Sequence, residues 1–324
     1  MTKINAEQLA HFNEEGYLVV RGLLDFERVI EPIINEYHTV LNRLADDLYA
    51  SGEISSTYAE MPFGQRLTEI CAESGRIHGQ YFDFSLPQSN VQPDTPFWAG
   101  PAVFKALTDK DLLDAVESFI GPEIYSNPVQ HVRIKPPEAR GPKNPAGQAV
   151  LGATSWHQDN GVVLPEADET LMLTVWFPLT EANEENGCLQ VVPRSHHNGL
   201  QPHCPGGPGG LKVPDQLFDK GEGVAIPMQP GDVLFLTSRT IHGSLSNHSE
   251  DVRWSFDLRY NPIGQATGRD AFPGFVARSA AAPESALRDA AAWEGLWRAA
   301  RDHLAVEQMV GPFNRWDPND PVCA

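Results

Sequence analysis

A β-rich sandwich or barrel with helices packed at both ends is the fold class this sequence predicts, on three observations. Between residues 124 and 262, short β-branched and aromatic runs follow one another, cut by Gly, Pro and Asn. Apolar residues recur at helical spacing before that stretch, and an Ala-rich, Trp-bearing segment closes the chain after it. With 324 residues, 41% of them hydrophobic, the chain can bury a large core. It reads as one domain, 1–324, divided into a mostly helical part (1–123), a β core (124–262) and a C-terminal loop and helix (263–324).

In order, Asn5 and Gln8 form a capping pair opening a helix through His11, with Gly16 placed to end it. Tyr17-Leu18-Val19-Val20 reads as a strand. From Phe26 to Tyr49 one apolar stripe runs through Val29, Ile33, Tyr37, Val40 and Leu44, which predicts a packing helix. A less regular stretch follows, and then Thr108 and Asp111 suggest a second capping box before Leu112 to Ile120, which Gly121-Pro122 closes. Strands are expected at Val129–Ile134, from Val150 to His157, and at Leu171–Phe177, Cys188–Val192, Val233–Thr237 and Val252–Tyr260. Two Pro/Gly-rich segments, Lys135–Gly147 and Pro202–Gly210, read as loops suited to a pocket mouth. Pro283 to Ala305 predicts the closing helix.

The formal net charge of -19 is spread along the chain, which opposes binding to nucleic acid or anionic lipid. The N-terminus lacks the apolar core of a signal peptide, and no run nears the roughly 18 apolar residues that span a bilayer. A cytoplasmic location and a monomer are the default expectations. Cys71, Cys188, Cys204 and Cys323 show neither a C-x-x-C pair nor regular spacing, so no disulfide framework is expected.

Chemistry concentrates in Ser155-Trp156-His157-Gln158-Asp159-Asn160. On a strand, His157 and Asp159 leave the same face with Cα atoms about 6.5 Å apart, so both can converge on one ion. Imidazole with a carboxylate suits Fe(II), Mn(II) or Zn(II), and a third ligand would complete a facial triad. His248-Ser249-Glu250 repeats the spacing in a turn-like context and is assigned to solvent. The third ligand is expected after a late strand, where Val233–Leu236 leads to Ile241-His242-Gly243-Ser244; Gly243 would allow close backbone approach. Arg253, inside the apolar run Val252–Phe256, needs an anionic partner if it points inward.

These residues, together with Leu18-Val19-Val20-Arg21-Gly22, Phe119-Ile120-Gly121-Pro122, Lys135-Pro136-Pro137, Asn186-Gly187-Cys188-Leu189, Pro193-Arg194-Ser195-His196 and Gly231-Asp232, resemble the phytanoyl-CoA dioxygenase family in order and spacing. The resemblance implies a double-stranded β-helix, or jelly roll, with helices outside it. It also implies Fe(II) held by His157, Asp159 and His242, and 2-oxoglutarate as cosubstrate with Arg253 gripping its distal carboxylate. Trp176, Ser244 and His131 match positions that help line the cosubstrate pocket, while His196 and His197 belong to a structural turn. The implied reaction converts 2-oxoglutarate and O2 to succinate and CO2 while oxidising a C–H bond of a small-molecule substrate; the carboxylate at Asp159 favours hydroxylation over halogenation. The segment between Pro137 and His157 is longer than in the family's prototype, so substrate choice does not carry over. Two other readings of the same residues stand beside this one: a Zn(II) or Mn(II) cupin-type enzyme, and a non-enzymatic jelly-roll protein that binds a small molecule.

Overall fold

The chain enters through the reciprocal cap its sequence calls for. In the computed structural model, which describes residues 3–143, 152–206, 210–307 and 315–323, the Asn5 side chain accepts from the Gln8 N–H at 2.8 Å. The Gln8 side chain in turn accepts from the Asn5 N–H at 3.0 Å, opening α1 (Ala6–Glu15), which Gly16 ends. A π-helical turn (Phe26–Ile30) leads into α2 (Glu31–Ala50), whose stripe of Ile33, Tyr37, Val40, Leu41 and Leu44 is fully buried. Each such side chain contributes about 1.5–3 kcal/mol relative to exposure. The stretch without a regular pattern contains α3 (Phe63–Ser74), α4 (Gly79–Phe82) and α5 (Pro101–Leu107). The second capping box is corrected: Thr108 still belongs to the last turn of α5, its hydroxyl donating to Phe104 O at 2.8 Å. Asp109 instead caps α6 (Lys110–Ile120), accepting from the backbone N–H groups of Asp111 and Leu112.

The β core is antiparallel throughout, in two main sheets. One has the order β1 (Tyr17–Val20), β9 (Val233–Thr237), β4 (Leu173–Pro178), β11 (Arg253–Pro262), β2 (Ile124–Lys135) and β12 (Phe275–Arg278). The other runs β3 (Thr154–His157), β10 (His242–Ser244), β5 (Leu189–Val191) and β8 (Val224–Ile226). They face each other through Trp176, Leu234 and Leu236 on one side and Leu189, Val191 and Ile226 on the other. A small ribbon pairs β6 (Cys204–Pro205) with β7 (Leu211–Lys212). The opposite face of the large sheet packs on the helices in the main core, where α7 (Ala290–Glu307) buries Trp293 and Trp297.

Strand β11 is buried on both faces and alternates in chemistry. Trp254, Phe256, Leu258 and Tyr260 enter the helical core, which leaves Arg253, Ser255, Asp257 and Arg259 to the inner face. On β2, His131, Arg133 and Lys135 lie directly opposite Asp257, Ser255 and Arg253. The two strands thus lay a polar floor between the sheets.

The cysteine expectation is overturned by a disulfide joining Cys204 to Cys323, 119 residues apart in the sequence and 5.4 Å apart at Cα. Spacing carried no signal, because the fold alone brings the C-terminal segment back to β6. Cys71 and Cys188 are buried and free. Of the two Pro/Gly-rich segments, residues 144–147 and 207–209 lie outside the described residues, and Cys204–Pro205 is part of the small ribbon. Among the described residues, no helix is long and apolar enough to cross a membrane.

Candidate metal centre and its cavity

Strands β3 and β10 pair so that His157 and His242 are cross-strand partners, with ring centroids 4.3 Å apart. Gly243 makes that pairing possible, since a Cβ there would lie 2.8 Å from Thr154 O. Just past β3, Asp159 brings a carboxylate oxygen 3.8 Å from His157 Nε2 and 3.9 Å from His242 Nε2. These three residues offer ligand atoms within 4.8 Å of one another, the one such group among the described residues.

The imidazoles are fixed from behind. His157 Nδ1 lies 2.8 Å from Ser155 O and His242 Nδ1 3.0 Å from Thr240 O. Each carbonyl requires an N–H at Nδ1, which leaves the Nε2 lone pairs facing Asp159. Burial, reinforced by the His242 ring, pushes His157 down to about 3, so it is neutral at physiological pH. Burial alone would raise the Asp159 carboxyl; the Arg259 guanidinium beside it holds it well below the usual carboxylate range instead. Arg259 donates through Nη2 at 2.6 Å and Nε at 3.3 Å, and the Thr174 hydroxyl donates to the same carboxylate.

The connecting residues are equally constrained. Gln158 points away from the cluster and donates to Gly199 O and Arg239 O. The His203 ring accepts from Gln158 N–H at 2.9 Å and lies against Gly161, where a Cβ would come within 2.1 Å of it. Ser195 accepts from Ile241 N–H at 2.8 Å, holding the start of β10. His196 and His197 reach the backbone of α1 at Asn13 and Glu14.

The cluster opens into a cavity of about 710 Å³ between the sheets, lined by His131, Trp176 and Arg253 among others. Arg253 is 2% exposed. Its Nη1 donates to Ser255 Oγ at 2.6 Å, its Nε has no partner among the described residues, and Trp176 lies 5.6 Å from the guanidinium. No carboxylate reaches it among the described residues. His131 Nδ1 is 2.8 Å from Asp83 Oδ2. Ser244 is not in the cavity lining; its hydroxyl oxygen accepts from Lys135 Nζ at 2.7 Å and from Thr154 N–H at 3.0 Å. Lys135 itself lines the cavity opposite Arg253, and burial, with that neighbouring cation, pushes its amine down to about 6. His248, by contrast, is exposed at the surface beside Glu138.

Sequence reasoning missed Arg259, Lys135 and Arg269. The first two carry a readable signal, a polar residue at every second position of a strand with apolar residues between. Arg269 sits in an irregular turn and carries none.

The model of the family described as phytanoyl-CoA dioxygenase matches residues 12–255. Bovine peroxisomal phytanoyl-CoA dioxygenase is 25% identical over 262 residues, covering 79% of this chain and 68% of that protein. A phytanoyl-CoA dioxygenase domain-containing protein 1 homolog of Dictyostelium discoideum is 28% identical, covering 80% and 91%. The 1-deoxypentalenic acid 11-beta-hydroxylase of Streptomyces arenae is 25% identical, covering 80% and 82%. Among solved structures, the apo form of the non-haem monooxygenase ThoJ superposes with a TM-score of 0.58 at 18% identity, covering 93% of this chain and 99% of its own. That likeness speaks to the fold alone.

Proposed function

The chain belongs to the phytanoyl-CoA dioxygenase family, and from that premise we propose that it is an Fe(II)- and 2-oxoglutarate-dependent dioxygenase that hydroxylates a C–H bond of a small organic substrate. In this reading residues 1–324 form one oxygenase domain, and its two facing sheets are a double-stranded β-helix. His157, Asp159 and His242 hold the iron. Bound there, iron and 2-oxoglutarate supply the oxidising power, as the oxo acid and O2 become succinate and CO2.

One observation carries the proposal: a buried guanidinium with no acid partner among the described residues lines the same cavity as the His–Asp–His cluster. A buried cation without a counter-charge is costly, and a bidentate carboxylate is its natural complement. Arg253 therefore binds the distal carboxylate of 2-oxoglutarate, and Trp176 shields that pair from water. Lys135 faces the same carboxylate from β2, where a bound anion would restore its charge, and Ser244 positions the Lys135 amine. The Nδ1–H bonds keep both imidazoles aimed with Nε2 toward the iron, and Arg259 with Thr174 orients the Asp159 carboxylate. His131, tied to Asp83, lines the side of the cavity left for substrate.

An anaerobic titration with Fe(II) and then 2-oxoglutarate tests this. The expected result is a weak visible metal-to-ligand charge-transfer band in the native protein, absent in His157→Ala. Stoichiometric metal binding with no such band would reject the oxygenase reading in favour of Zn(II) or Mn(II) cupin chemistry. Replacing Arg253 by Ala is expected to weaken 2-oxoglutarate binding roughly ten- to hundredfold, from the loss of charged hydrogen bonds, while metal binding stays. Calorimetric titration of the variant checks it, and an unchanged affinity would remove Arg253 from the site.

A further inference from the structure

The cavity holds more positive charge than the cosubstrate reading uses. Arg133, Lys135, Arg253, Arg259 and Arg269 line it, against Asp83, Asp159 and Asp257. This excess lies inside a protein whose formal net charge is -19. Arg259 is neutralised by Asp159 and Asp257, at 2.6 and 3.1 Å, and Asp83 is occupied by His131. Arg253 and Lys135 are the pair assigned to 2-oxoglutarate. Arg133 and Arg269 remain.

Their surroundings argue against a purely structural role. Arg269 is 3% exposed, yet no carboxylate reaches it among the described residues. Its guanidinium is held by neutral acceptors only: Val162 O at 3.1 Å, and the Gln88 amide oxygen, in the orientation that satisfies it, at 3.0 Å from Nη1. These contacts aim the group without cancelling its charge. Arg133, in the middle of the polar row on β2, makes no hydrogen bond or ion pair with any described residue. It stands directly opposite Ser255, a neutral neighbour. A buried cation such as Arg269, with no counter-charge among the described residues, is costly, and the exposed Arg133 guanidinium lines the same cavity, so the two together are an arrangement that an anion completes.

We propose that the substrate is an organic carboxylate, and that Arg133 and Arg269 bind its carboxylate while its hydrocarbon part lies toward the His157–Asp159–His242 cluster. The inference rests on the oxygenase reading and adds the substrate class to it. A planar, forked guanidinium matches a carboxylate edge-on, and Gln88 holds Arg269 for that approach. The cavity, at about 710 Å³, is on the scale that takes a cosubstrate together with a second small organic molecule. Both arginines act as specificity-determining residues, since their contacts lie away from the carbon that reacts.

The test uses the full chain with Fe(II) and 2-oxoglutarate under anaerobic conditions, and again without them. The probes are a panel of medium-chain and arylalkyl carboxylic acids, each with its primary amide and its phosphate-monoester counterpart, followed by calorimetry and thermal shift. Acids are expected to bind at least about tenfold more tightly than their amides, and the preference should collapse toward parity in Arg269→Gln and in Arg133→Gln. Because Arg133 is exposed and has no partner among the described residues, its variant should fold even if loss of Arg269 disturbs the turn. A panel in which no acid outperforms its amide would overturn the proposal, as would a preference for phosphates or one that persists in both variants. Failure of the oxygenase reading is seen separately, as absence of the charge-transfer band before any probe is added.

Discussion

Arg259 shows how one side chain can serve the site without entering it. It spans two carboxylates, with Nη2 2.6 Å from Asp159 Oδ1 and Nη1 3.1 Å from Asp257 Oδ2. Replacing it by Met would leave Asp159 buried and free to turn, so metal affinity is expected to fall about 10–100-fold; titration with Mn(II) reads this, and native affinity in the variant would refute the orienting role. Lys135 gives a prediction with a pH signature. Its amine is held to about 6 by burial, so the unfolded chain binds the extra proton between that value and the ordinary lysine range. Stability of the metal-free protein should therefore rise with pH across that window. Lys135→Met is expected to be more stable than the native chain near neutrality, with the gain shrinking as pH rises toward 10, and to bind 2-oxoglutarate less well. Denaturant unfolding at several pH values checks it, and a pH-independent difference would contradict the assigned burial cost. Of these residues, His157, Asp159, His242 and Arg253 stand out in the sequence because each sits in an unlike context. Arg259 needed the strand's alternation to be taken seriously on both faces, and Arg269 needed the fold itself.

At the level of elements, the strands were legible where apolar runs were long, as at β9, whose bounds match the expected Val233–Thr237. Short helices were not: α4 spans only Gly79–Phe82, too little chain for a period to appear. The capping error at Thr108 has a simple cause, since the residue that opens one helix directly follows the residue that ends another. The turn after β3 needs glycine at Gly161 for a reason that no local pattern carries. The His203 ring occupies the space a side chain at Gly161 would take. Gly161→Ala is expected to cost about 1–3 kcal/mol by overpacking and to displace Asp159, two residues away. A thermal melt with and without Mn(II) measures both effects, and an unshifted Tm would mean the ring yields freely.

Across the whole molecule, an acidic exterior surrounds a cationic cavity, a contrast that composition averages away. The metal-free protein should also be acid-labile in a defined window. Burial pushes His157 to about 3 and His203 to about 4, so the unfolded state takes up protons first, near the ordinary histidine value. Stability should fall as pH drops from about 6.5 toward 3; a flat melting temperature across that range would contradict it. The disulfide stood outside any reading of spacing because its partners meet only through tertiary structure. It ties down a tail in which Arg315 pairs with Asp168, and the Trp316 indole N–H donates to Gly161 O at 2.7 Å while the ring stacks on His203. Opening it by Cys204→Ser is expected to cost about 2–5 kcal/mol of stability, read by denaturant unfolding. With the bond closed, docking of Trp316 is an encounter within one short cross-linked loop, at an effective concentration that can reach the millimolar range. With the bond reduced, the same segment samples a larger volume, and its occupancy over Gly161 falls. The stiffness of the turn that presents Asp159 then follows the thiol–disulfide poise of the surroundings, although neither cysteine touches the cavity.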